Sequence, residues 1–175
     1  MTRLAALLFV AAALLPAQRV KKLDEVARVA SVMVDGDVAA RIVTKRALAY
    51  MLKDDPRDKW RAADNYDVNH EAFIQTKKTL IRLSRLVSFR CDVNLWLPLP
   101  TDPPRIYIAV RNVNELSRFW RFGALTQPMF PPMKRVLETG ERVTVAEEGG
   151  LVAVLAPVRD SLGDIVGLVE VVARR

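Results

Sequence analysis

Few residues of this chain have side chains that could do chemistry, and their types narrow the choice. It holds one histidine, His70, and one cysteine, Cys91. A single thiol forms no intrachain disulfide, and this pair of counts excludes a histidine cluster or a paired-thiol metal site. Cys91 also lacks the C-x-x-C-H pattern that attaches haem, and it reads as a small buried side chain at the start of a strand. His70 opens a polar helix, a surface or capping place. Ser88, Ser117 and Ser161 have no base close by in sequence. No G-x-S-x-G elbow, phosphate loop or H-E-x-x-H is present. The run from Asp64 to Asn69 is rich in oxygen donors, but it lacks the central glycine and terminal glutamate of a calcium loop. The expectation is a non-catalytic protein with no metal and no cofactor.

What remains is arginine interleaved with aromatics: Trp96, Tyr107, Arg111, Arg118 and Trp120. A guanidinium beside an aromatic face in a dry site suits a carboxylate, through paired charge-assisted hydrogen bonds. These five are the candidate ligand-binding residues, and the ligand expected is a small anionic metabolite, a carboxylate or an amino acid. The plainer reading makes the aromatics core residues and Arg111 the end of a strand.

The elements that would position them follow from the hydrophobic period. Val20 to Met51 reads as helical, with Val20, Leu23, Val26, Ala30 and Val34 near helical spacing. Asp35-Gly36-Asp37 interrupts it, either as a kink or as a break with Asp37 capping a second helix. Lys53 to Asp67 is a polar loop. Asn69 to Val87 is a second clear helix, capped by Asp67 or Asn69, with Phe73, Leu80 and Val87 on one stripe. The period then changes to two. Cys91 to Leu97 and Arg105 to Arg111 read as strands, Asn112 to Phe122 as a short helix, and Gln127 to Pro132 as an irregular loop. Met133 to Glu138 makes a helical turn closed by Gly140. Three more strands follow, Arg142 to Ala146, Leu151 to Pro157 and Ile165 to Ala173, the last two joined by a hairpin across Arg159 to Asp164. The class is α+β: long N-terminal helices packed on one face of a five-stranded antiparallel sheet.

The chain opens with Arg3, an unbroken apolar run from Leu4 to Leu15, then Pro16 as a helix breaker and the small Ala17. That order reads as a secretory signal over residues 1–17, followed by one domain over residues 18–175. Twelve apolar residues span only ~18 Å of helix against a ~30 Å hydrocarbon core, too short for a stable membrane span. The expected location is therefore periplasmic or extracellular. The 27 Lys and Arg against 20 Asp and Glu give a net charge of +7, and no run of five or six like charges occurs. A surface of this kind favours anionic partners. No nucleic-acid module is present, so nucleic acid is not an expected partner.

The C-terminal stretch LETGERVTVAEEGGLVAVLAPVRDSLGDIVGLVEVV resembles the end of Cache domains, the extracytoplasmic relatives of PAS sensor domains. The features are Thr139-Gly140, Ala156-Pro157-Val158, Asp160, Gly163 and the strand Gly167 to Val171. At residue level the likeness covers about 40 residues, and in organisation most of the chain beyond residue 17. A second stretch, Arg118-Phe-Trp120-Arg121-Phe-Gly-Ala124, is similar to the Arg-x-Trp-Tyr-x-x-Ala segment with which many of these domains hold a ligand's carboxylate. Arg118, Trp120 and Ala124 match; Arg121 and Asn114 stand where that family has tyrosines. The resemblance implies a PAS-like sheet and ligand sensing. The alternative is a ligand-free accessory protein that docks on an envelope partner or pairs with a second copy through its N-terminal helix.

Overall fold

The computed structural model of the chain describes residues 2–53, 67–121, 124–145 and 150–174, with backbone only over residues 2–16. Helix α1 runs without a break from Thr2 to Met33. Pro16 does not end it, contrary to the reading of that residue as a breaker. A proline removes one backbone hydrogen bond, but good helix formers lie on both sides, so the helix resumes past the defect. Leu23, Val26, Ala27 and Ala30 are buried at i, i+3, i+4 and i+7, which lays one stripe of α1 on the sheet.

Asp35, not Asp37, caps the next helix, α2 (Gly36–Ala39), by accepting from the Val38 N–H. The helix starts two residues earlier than that reading, with Gly36 flush against the backbone of Arg159, where a Cβ would overlap the carbonyl. Asp37 instead accepts from the Ser161 N–H in the hairpin turn at 3.1 Å. Thr44 caps α3 (Lys45–Met51) and Asn69 caps α4 (His70–Ser84), each accepting from a backbone N–H three residues on. His70 is exposed in the first turn of α4, as expected. Half of the oxygen-rich run from Asp64 to Asn69, residues 64–66, lies outside the described residues; among the described residues no group of three or more His, Cys, Asp or Glu could hold a metal ion.

The sheet comprises β1 (Cys91–Leu99), β2 (Arg105–Val110), β3 (Gln127–Pro128), β4 (Val143–Val145), β5 (Leu151–Arg159) and β6 (Ile165–Arg174), in the order β3-β2-β1-β6-β5-β4. Every pairing is antiparallel, which puts the chain in the α+β class with six strands where five were expected. The sixth is β3, two residues long, inside the stretch read as irregular; its Pro128 is tolerated because β3 is an edge. Pro157, expected to end β5, lies within it, past the last residue that pairs with β4, where one edge has no ladder to feed.

The helices do not all share one face. Odd-numbered residues of β1 (Cys91, Val93, Leu95, Leu97, Leu99) join the core beneath α1, α2, α3 and α4. On the other face Trp96, Ile106, Ile108, Leu155 and Leu168 pack with Phe119 and with Met133 and Val136 of α5 (Pro131–Thr139). Both faces are covered, so β1 is buried along nearly its whole length. This second layer corrects the one-sided packing expected.

Candidate functional site

The even positions of β1 are Asp92, Asn94 and Trp96, and Glu170 of β6 stands directly opposite Asn94. All four are fully buried. A buried carboxylate or amide without partners costs several kcal/mol, so the chain must supply donors to them. It supplies them from residues 112–118. The reading of Asn112 to Phe122 as a helix is therefore corrected: residues 111–121 are irregular, and residues 122 and 123 lie outside the described residues. Their backbone N–H groups point at the sheet rather than along a helix axis, and Glu115 takes a left-handed φ of 55°.

Asp92 accepts from the Leu116 N–H at 2.7 Å, from the Asn114 N–H at 3.3 Å and from the Asn114 side-chain amide at 2.8 Å. Asn94 accepts from the Asn112 N–H at 3.0 Å and donates to the Leu116 carbonyl at 2.7 Å. Glu170 Oε1 accepts from the Arg118 N–H at 2.7 Å. Its Oε2 accepts from the Ser117 hydroxyl at 2.7 Å, the Trp96 indole N–H at 3.0 Å and the Asn94 amide at 3.2 Å. The Ser117 hydroxyl in turn accepts from the N–H groups of Phe119 and Trp120, at 3.1 and 3.0 Å. The segment is thus fastened at its start, middle and end to two central strands.

Burial pushes the Glu170 carboxyl above its ordinary value, because a charge there is cut off from water; the four donated hydrogen bonds oppose the shift and do not cancel it. With no solvent-accessible surface and all four donors internal, this carboxyl holds the segment in place.

The five candidate residues fall into different environments. Arg111 and Trp120 come together: the guanidinium lies over the indole ring, 4.0 Å from its centroid. Arg111 Nη1 is also 3.6 Å from the exposed Glu115 carboxylate, and its carbonyl accepts from Lys77 of α4. Arg118 gives its backbone to Glu170 while its side chain is exposed, with the guanidinium 5.7 Å from the Phe119 ring centroid. Trp96 is sealed in the core under the segment, and Glu170 links it to the Arg118 backbone. Tyr107 lies on the opposite face, against the helices, so it is apart from the other four; burial raises its phenol above the usual value. Alternation along β2 decides this, since Ile106 and Ile108 take the positions facing α5.

Asn114, which stands where the Cache pattern has tyrosine, is a structural member of the Asp92 cluster and accepts from Arg90 as well. The residues that organise the site, Asp92, Asn94, Ser117 and Glu170, were not among the candidates. One signal was available: Glu170 is a lone charge in the apolar run Gly167 to Ala173, and an ionisable residue at an inward position requires partners. No family model matches this chain, and no curated protein shows significant similarity to it.

Proposed function

We propose that this protein is an exported, non-catalytic, Cache-like sensor domain that binds a small anionic metabolite, a carboxylate or an amino acid, on segment 111–121. The observation that carries the reading is the Arg111–Trp120 stack at 4.0 Å on a segment whose backbone is fastened by Asp92, Asn94 and Glu170. An arginine held on an aromatic face loses little freedom when it takes up a carboxylate, and a fastened backbone holds the exposed Arg118 on the same segment in register. The arrangement of a long helix ahead of an antiparallel sheet, with a covering segment between its early and late strands, supports a sensor-type fold. Fold likeness by itself does not fix function, so the site must be tested.

The test is a thermal-shift screen of the chain against small carboxylates and amino acids. A ligand at 100 times its Kd adds about 2.7 kcal/mol to the native state. At about 2–4 °C per kcal/mol for a chain of this size, Tm rises by about 5–11 °C. Arg111→Ala and Arg118→Ala should each remove the rise. A sharp transition that no compound moves would refute ligand binding and favour the envelope-partner reading.

A further inference from the structure

The side of α1 that faces the α4–β1 connection forms an open groove with a cavity volume of about 490 Å³, continued by a second of about 320 Å³ that shares Lys22 and Ser88 with it. Its floor is apolar, with Val26, Val29, Val87 and Phe89, and the apolar Leu86 beside it is 58% exposed. Its rim is cationic: Arg19, Lys22 and Arg28 against the single carboxylate of Glu25. Arg19 is held there by the Arg174 carbonyl at 3.3 Å and by the Phe89 ring, 5.4 Å from its centroid. The same helix continues unbroken beyond Gln18 into the turns of Leu4 to Leu15, a run without a polar residue. Among the described residues no helix is long and apolar enough to cross a membrane.

From these features together we infer that the α1 end of the protein is a docking face for an anionic lipid surface. The apolar turns Leu4 to Leu15 lie in the headgroup–acyl boundary, with Arg3 at one end and Arg19 and Lys22 at the other meeting the phosphates. The cations begin one turn past that run, at headgroup depth. Arg19 and Lys22 lie ~4.5 Å apart along the axis, within one Debye length of a surface, whereas Arg28 stands ~13.5 Å beyond Arg19. An apolar helix end and a basic patch are the two signals that stable surface attachment needs, neither sufficing singly. This inference applies to the chain that keeps residues 1–17, and it does not depend on the ligand site of segment 111–121, which lies across the sheet.

Co-sedimentation of the full chain with vesicles of phosphatidylcholine, with and without one-third phosphatidylglycerol, tests it. Binding is expected to the anionic vesicles and to weaken steeply between about 0.1 M and 1 M salt, as the Debye length falls from about 10 Å to about 3 Å. Arg19→Gln with Lys22→Gln should lower affinity about fivefold per cation, about 25-fold together. Lys134→Gln with Arg135→Gln on α5 makes the same change in net charge on the far face and should leave binding as it is. Phe9→Asp should abolish it. Equal binding to neutral vesicles, an equal loss in both charge pairs, or no sedimentation of the wild-type chain would overturn the proposal.

Discussion

Removing the Glu170 carboxyl should loosen segment 111–121 and cost a large part of the fold's stability. Of its four donors, two have other work. Ser117 still accepts from the Phe119 and Trp120 N–H groups and, being only half-buried, leaves its O–H within reach of solvent, and Asn94 keeps the Leu116 carbonyl. The Trp96 indole N–H and the Arg118 N–H have Glu170 as their partner and would be orphaned by Glu170→Ala. Each buried orphan costs about 1–3 kcal/mol, so the pair costs about 4 kcal/mol before any cavity is counted. At about 2–4 °C per kcal/mol, Tm should fall by about 8–16 °C. Glu170→Gln is milder: its amide oxygen can serve the three donors at Oε2, while its NH₂ opposes the Arg118 N–H, one conflict of about 1–3 kcal/mol. Urea denaturation gives the free energies, and amide hydrogen exchange over residues 112–120 locates the effect. The N–H groups of Leu116 and Arg118 should lose protection first, ahead of β1 and β6. A loss under about 1 kcal/mol in Glu170→Ala, with exchange in the segment unchanged, would refute the claim that this carboxyl fastens it.

The same residue sets a pH dependence. Its native pKa is raised above the unfolded value of about 4.3, so between the two the folded state holds the proton more tightly. Its contribution to stability is therefore greatest at low pH and is lost as pH rises through the native value. Wild type should gain on Glu170→Gln as pH falls through that window, and parallel urea midpoints would contradict this. Cys91 is buried, and desolvation with the neighbouring Asp92 charge pushes its thiol up to about 12; alkylation at pH 8 should be negligible in the folded protein and complete in denaturant. Gly167→Ala places a Cβ 2.7 Å from the Trp96 carbonyl oxygen and 2.6 Å from Leu97 Cδ2; because the carbonyl cannot rotate away, about 1–3 kcal/mol of destabilisation is expected by urea denaturation.

Hydrophobic period and turn chemistry were enough to place most elements. The stripe of α1, the cap at Asn69, the hairpin around Gly163 and the strands β1, β2, β5 and β6 are local consequences of residue order, and there the sequence is explicit. It also established the exclusions that follow from one cysteine and one histidine. Other features depend on which distant segments meet. The hydrophobic period places Gly167 in the last strand, but only the fold shows that β1 passes so close there that a side chain has no room. Segment 112–121 has the composition of a short amphipathic helix. It is not one, because Asp92, Asn94 and Glu170, roughly twenty residues before it or roughly fifty after it, offer its N–H groups better acceptors than its own carbonyls. In sequence those three polar residues alternate with apolar ones, the pattern of a strand with one wet face. Only the tertiary fold closes that face, by laying over it a strip of chain that brings donors to all three. A buried polar residue is settled by its partners, and the partners are chosen by topology rather than by neighbours in sequence.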